Sequence, residues 1–348
     1  MILAFLLLFI ILILIFQQWS LENGLDGLEG DFWPEENVVD PEEPFHITIH
    51  LKNTKRFPLF FVKVESSFVK KIIIDPKNQK VTQNHGIGGH SVTLSTWLKA
   101  NQQARLSIPV SAVERGRYVL IPPVLYCGDF LGIKERQKNL EQFREVVVAP
   151  KPLNSSEAKQ VLGKYLGDFS VRRFLFEDPV LTMGYREYTG REPMKMISWK
   201  QSAWRQTLVV KEYDHTVEPV ISVIVNVETT LEDKKELLEK CFSLARSVCS
   251  DLENKCIQYD FYTNAQIAGS ADYAVTEGLG NRHFMKILEL LGRSTYTPSF
   301  SYRSLLERLE KTGRKDRGLL VITPDETALT HAGTFTDQQI LILNAQLF

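Results

Sequence analysis

The chain is poor in cysteine, in net charge and in recognisable catalytic motifs. Four cysteines in 348 residues are too few for a disulfide scaffold. No Cys-x-x-Cys occurs, so Cys127, Cys241, Cys249 and Cys256 read as free thiols, which favours a reducing compartment. Lys+Arg 41 against Asp+Glu 42 leaves a net charge of -1. That balance excludes an overall polybasic nucleic-acid binder. Gly 20 and Pro 15 exclude collagen-like and low-complexity chains. No Gly-x-Ser-x-Gly elbow, no phosphate-binding Gly-x-x-x-x-Gly-Lys-Ser/Thr and no His-Glu-x-x-His helix is present, and the seven histidines are scattered. With no nucleophile set beside a base, the expectation is a protein without catalysis of its own.

What is present begins with an apolar run. Residues 2–16 carry no polar side chain, and Trp19 follows Gln17 and Gln18. This length is at the short end for a bilayer core of about 30 Å, and the glutamines and Trp19 supply an interfacial flank. Residues 1–19 are therefore expected to be a membrane anchor in a single pass. The alternative, a signal peptide, lacks its basic n-region and a small-x-small cleavage site. No Lys or Arg precedes Lys52, so orientation is not fixed by charge. Residues 20–43 are acidic, including Glu22, Asp26, Glu29 and Asp31. They are expected to be a solvated linker holding the folded part off an anionic membrane.

From Phe45 the pattern has period two. Phe45, Ile47, Ile49 and Leu51 alternate with His46, Thr48, His50 and Lys52, a half-buried strand. Further short runs to residue 148, with turn signals between them, predict a β-sandwich of immunoglobulin-like type over residues 44–150, with about seven strands. The Gly-rich stretch at 86–89 has no helix after it to make a phosphate site and is expected to be a loop. His46 and His50 share a polar strand face without further ligands nearby, which argues against zinc.

Pro150 and Pro152 end the last strand, and residues 151–217 are expected to be a linker with an unusual dense segment. That segment reads Gly184-Tyr185-Arg186-Glu187-Tyr188-Thr189-Gly190-Arg191-Glu192, then Ile197-Ser198-Trp199-Lys200-Gln201-Ser202-Ala203-Trp204-Arg205, then Leu208-Val209-Val210-Lys211-Glu212. It resembles the bacterial family called "domain of unknown function 58", on the matching positions Arg186, Tyr188 and Gly190, then Ile197, Trp199, Lys200, Ser202 and Ala203 with Arg205, then Leu208, Val210, Lys211 and Glu212. The family's Gly-Asp acid is replaced by Arg191, with Glu192 one residue later. The resemblance implies a protein partner, a MoxR-type AAA+ ATPase, a role in assembling or activating protein complexes, and a cytosolic folded part. Arg186, Tyr188, Gly190, Trp199, Lys200, Ser202 and Arg205 are then candidate partner-binding residues. A structural reading stands beside it, in which the tryptophans pack and the cations pair with Glu187, Glu192 and Glu212.

Residues 218–348 alternate apolar strands with amphipathic helices, which predicts a doubly wound α/β sheet. Following this segment, the domain resembles a von Willebrand factor A domain. Such domains hold magnesium in an Asp-x-Ser-x-Ser loop after the first strand. Here the loop reads Asn226-Val227-Glu228-Thr229-Thr230. Asn226 loses the charge, Glu228 is longer than serine, and Thr230 alone keeps a hydroxyl. Octahedral geometry at about 2.1 Å tolerates such changes poorly, so this is expected to be a degenerate metal loop with no cofactor. The whole chain is expected to be an α+β multidomain protein, acting by holding surfaces together at a membrane. An extracytoplasmic ligand-binding module is the alternative.

Overall fold

A computed structural model describes residues 2–74, 82–86, 89–153, 156–173, 182–190, 192–213, 220–231, 234–311, 317–325 and 340–347. It is a mixed α+β fold that divides into two compact units, Met1–Lys151 with Leu288–Ser294, and Pro152–Ile287 with Thr295–Phe348.

In the first unit, α1 (Ile2–Gly24) is long and apolar enough to cross a membrane. Twelve strands follow: β1 (Leu28–Pro34), β2 (Val38–Val39), β3 (Pro44–Asn53), β4 (Leu59–Val69), β5 (Ile72–Ile74), β6 (Thr82–Gly86), β7 (Gly89–Leu98), β8 (Gln103–Ala112), β9 (Gly116–Leu120), β10 (Val124–Gly128), β11 (Glu135–Asn139) and β12 (Arg144–Val148). They form sheets in the orders β1-β3-β8-β5, β11-β10-β4-β7-β6 and β2-β12-β9. One apolar core joins these sheets, with Ile47, Ile49 and Ile108 from the first, Val62, Val64 and Leu125 from the second, and Leu120 and Val146 from the third. This is a β-sandwich: each sheet alternates, and the inner faces meet. Each fully buried aliphatic contributes roughly 1.5–3 kcal/mol.

Three differences from the sequence reading have clear causes. The helix does not stop at residue 19 but runs to Gly24. The acidic stretch 20–43 is not a free linker: it contains β1 and β2. Leu28 and Phe32 are buried, while Glu29 and Asp31 point outward to Lys52 (3.0 Å) and Arg144 (3.3 Å). A half-buried strand with charged outer residues looks like a linker if charge is counted before period. The Gly-rich loop shrinks to a hairpin in which Gly86 pairs with Gly89, with 87–88 outside the described residues.

The second unit opens with α2 (Ser156–Arg173), where a plain linker was expected. Leu162, Tyr165 and Leu166 are buried, and the Tyr165 hydroxyl donates to the Leu319 carbonyl at 3.1 Å. Then come β13 (Thr182–Glu187), a 3-10 turn (Met194–Met196), α3 (Trp199–Arg205), β14 (Val209–Tyr213), β15 (Val220–Val225), α4 (Lys234–Asn254), β16 (Gln258–Thr263), β17 (Ala265–Ile267), β18 (Ala274–Gly278), α5 (Asn281–Arg293), β19 (Ser294–Pro298), α6 (Tyr302–Lys311), β20 (Gly318–Thr323), β21 (Ile340–Asn344) and a last 3-10 turn (Ala345–Leu347).

The main sheet has the order β18-β16-β15-β20-β21, parallel except for β18. The chain steps from β15 to β16 on one side, then returns past β15 to β20 on the other. Right-handed crossovers, the rule for parallel strands, would put α4 and α6 on opposite faces for that reason. Leu305 and Leu306 of α6 pack with Ile224, Leu319 and Val321. A strand covered on both faces must be apolar throughout, and β15 and β20 are.

Candidate functional site

Strand order reverses at β15, so the carboxyl ends of β15, β16 and β20 form the place where such sheets hold ligands. The polar residues that follow these strands meet there. Asn226, Asn264 and Thr323 are buried, and so is most of Asp325. Asn226 Oδ1 accepts from the Glu228 amide at 3.0 Å and from Asn264 Nδ2 at 2.9 Å, which uses both its lone pairs. Asn264 Oδ1 accepts from the Val227 amide at 2.9 Å. Asn226 Nδ2 lies 3.4 Å from both the Glu228 carbonyl and Thr323 Oγ1, and Thr323 Oγ1 donates to the Asp325 carbonyl at 3.0 Å.

The three loop residues singled out in the sequence take different places. Asn226 is at the centre of the cluster. Glu228 turns away to accept from the Tyr302 amide at 2.7 Å, capping the first turn of α6. Thr230 is exposed, and the inward hydroxyl belongs to Thr229, which donates to Asp325 Oδ2 at 2.7 Å. Asn264 was not foreseen; its only signal in the sequence is a polar residue directly after an apolar strand. This donor set does not suit a hard cation. The central oxygen is saturated, one carboxylate serves a helix end, and amide nitrogens stand where anionic oxygens would be needed. Among the described residues, no three His, Cys, Asp or Glu side chains group closely enough to hold a metal ion.

The dense segment makes a small separate platform. β13 and β14 pair antiparallel, with Arg186 opposite Val210 and Glu187 opposite Val209. The connection between them folds back through α3. Ser202 is buried; its Oγ accepts from the Val209 amide at 2.9 Å, and the Ser198 amide donates to the Val209 carbonyl at 2.9 Å. The Tyr188 amide donates to the Leu208 carbonyl at 2.8 Å, and Arg205 Nη1 lies 3.4 Å from the Tyr185 carbonyl. Gly190 has φ +86, a left-handed conformation that a side chain would strain. Glu192 accepts from Arg186 at 2.5 Å and from the Thr189 hydroxyl and amide at 2.9 and 3.1 Å. The Arg186 guanidinium, with these donors, holds the Glu192 carboxyl down at about 2. The acid that sequence reading found displaced by one residue thus still closes the turn.

On this platform Trp199 is 62% exposed and Trp204 80% exposed, and Met194 and Leu208 of the same segment are exposed too. Lys200 and Arg205 are exposed as well. The seven sequence candidates therefore split. Ser202, Tyr188, Gly190 and Arg186 build the platform, whereas Trp199, Lys200 and Arg205 face outward.

Another cluster of titratable groups is structural. The Tyr259 hydroxyl donates to Glu253 at 2.9 Å, Glu253 accepts from the Gly280 amide at 2.8 Å, and His283 Nδ1 is 3.7 Å from Glu253. This ties the end of α4 to the start of α5, and burial pushes the Tyr259 hydroxyl up. Ser156 and Lys159 stand at a Ser-x-x-Lys spacing, and both are exposed at the start of α2.

The fold defines a mixed α+β chain with an apolar N-terminal helix and a β-sandwich. No family model matches it, and no curated protein matches it. Solved structures match about a third of the chain. The CARDB domain of a Pyrococcus furiosus protein in complex with di-metal ions is 14% identical and covers 35% of this chain and 91% of its own, with a TM-score of 0.23. A cohesin module from a Clostridium perfringens family 33 glycoside hydrolase is 12% identical and covers 34% and 96%, with a TM-score of 0.25. BcpA, the major pilin subunit of Bacillus cereus, is 12% identical and covers 35% and 41%, with a TM-score of 0.24. At these scores the likenesses say nothing about function.

Proposed function

We propose that this chain is a non-enzymatic, membrane-anchored interaction protein. In this reading α1 is the anchor, the sandwich is immunoglobulin-like, and the α/β unit is a von Willebrand factor A-like domain whose strand-end site works without metal. The observation that carries the reading is the exposure of Trp199 and Trp204 on a platform otherwise fixed by hydrogen bonds. Exposed tryptophans with neighbouring Arg and Lys are the composition of interface anchors. The segment's resemblance to the "domain of unknown function 58" family makes a MoxR-type AAA+ ATPase the partner, with the folded part in the cytoplasm, where ATP is.

The test uses the full-length chain in mild detergent with the MoxR-type ATPase of the same cell. Capture that weakens on Trp204→Ala supports the proposal; absence of capture by the unaltered chain defeats it. Sidedness can be read without an introduced cysteine, because Cys256 is exposed and Cys127, Cys241 and Cys249 are buried. An impermeant maleimide should label Cys256 only after the cells are opened. Labelling in intact cells would replace this reading with an extracytoplasmic binding module.

A further inference from the structure

α1 is braced against one end of the sandwich. Gln17 is buried, and its Nε2 donates to Asp129 Oδ2 at 2.6 Å. Asp129 also accepts from the Ile133 and Lys134 amides at 2.8 and 3.2 Å. Burial opposes ionisation of Asp129, but these donors outweigh it and hold the carboxyl below its ordinary value. Phe16 meets Phe130 edge-on at 5.0 Å, and Trp19 meets Phe57 at 5.1 Å. The helix's apolar sheath therefore passes directly onto the sandwich.

Around that junction the sandwich exposes apolar side chains that its own alternation would hide. In β4, Leu59 pairs with Leu98 and Val62 with Thr96, so Phe60 and Phe61 together stand opposite Trp97 alone. Such a bulge re-aims side chains: Phe60 and Phe61 are 50% and 44% exposed in succession. Phe61 lies over Gly128 and Gly132, where a Cβ would meet its ring or its own Cβ at 3.3 Å or less. The turn held by Asp129 projects Leu131 and Ile133, the latter 69% exposed. Buried Asn53 fixes the Phe57 loop by donating to the Phe57 and Lys99 carbonyls at 2.8 and 2.9 Å. Cations ring the patch: Arg56, Lys99 and Lys134 are exposed, and Lys99 sits 5.7 Å over the Trp97 ring.

We propose that this end of the sandwich is a bilayer-contact surface, seated in the headgroup layer of the membrane that α1 enters. A rigid rim of Trp, Phe and Ile with an outer ring of Lys and Arg matches the chemistry of that layer, apolar below and anionic above. Its continuity with α1 selects lipid over a protein partner, since whatever covers the rim must also border the anchor. The inference rests on α1 being the anchor.

The test reconstitutes the full-length Cys256→Ser protein in vesicles of phosphatidylcholine and phosphatidylglycerol. Single cysteines at Ile133→Cys, Phe60→Cys, Leu8→Cys and Val113→Cys carry a fluorophore. Val113 lies just past the end of β8 remote from the rim and is exposed. Lipid spin-labelled at its headgroup should quench the labels at 133 and 60, leaving the label at 113 bright. Lipid spin-labelled near its chain end should quench the label at 8. If the label at 8 is quenched while those at 133 and 60 stay as bright as 113, the surface proposal falls and the anchor stands. If the label at 8 is not quenched, both fall.

Discussion

The strand-end cluster and the Trp platform solve opposite problems within the second unit. At the carboxyl ends of β15, β16 and β20, the side-chain oxygens of Asn226 and Asn264 and the Asn264 side-chain nitrogen are turned inward on other protein groups. A buried polar site of that kind has no unmet demand for a ligand, and emptying one member leaves its neighbours stranded. On the platform, Ser202 and Glu192 satisfy the backbone, and that frees Trp199 and Trp204 to stay in water. Exposed indole surface is an unfavourable state that burial against a partner relieves. In the reading proposed above, binding falls to the segment before the sheet rather than to the strand ends.

The comparison breaks most visibly at Asn264. Asn264→Ala leaves the buried Val227 amide without its acceptor, at roughly 1–3 kcal/mol, and takes one of two donors from Asn226 Oδ1, which keeps the Glu228 amide. Chemical unfolding of the second unit should shift accordingly, while capture of a partner by the residual folded protein stays unchanged. Ser202→Ala comes next. It strands the buried Val209 amide, again roughly 1–3 kcal/mol but local to the platform, and hydrogen exchange at Val209 should quicken with partner capture falling too. Trp204→Ala inverts that pattern. Stability should stay within about 0.5 kcal/mol, since the side chain is on the surface. Affinity for the partner should drop about fivefold, or about 1 kcal/mol, if the indole is an anchor. Equal loss of stability in Trp204→Ala and Ser202→Ala would erase the distinction between scaffold and contact.

Much of this was legible in residue period. Phe45, Ile47, Ile49 and Leu51 are buried in β3 as their alternation requires, and the apolar run at 318–323 is a fully buried central strand. What failed to show has a physical reason in each case. β1 was hidden because its outward charges find cross-strand partners rather than water alone. α2 was hidden because Leu162, Tyr165 and Leu166 are a narrow apolar stripe among Lys and Glu. The bulge at Phe60 and Phe61 is set by pairing between strands far apart in sequence, which no local pattern reports. At the strand ends, identity was readable and direction was not: sequence marks Asn226, Glu228 and Thr230, but only the backbone path shows Thr229 inward and Glu228 spent on α6.

The smallest effect tests the platform's turn. Glu192 ordinarily would titrate near 4.5, and Arg186 holds it at about 2. A lowered carboxyl contributes stability that is complete above the ordinary value and disappears as pH falls through the lowered one. Glu192 is half-buried in a surface turn and its partner Arg186 is exposed, so the thermodynamic gain is small and screened by salt. The informative readout is local: the Thr189 amide donates to Glu192 at 3.1 Å, so its nuclear magnetic resonance shift should follow the carboxyl. It should move with a midpoint of about 2, and Glu192→Gln should abolish the transition. A midpoint near 4.5 would mean that Arg186 does not hold the turn in solution. The platform would then be a mobile loop, and the exposed tryptophans would lose the rigidity that makes them anchors.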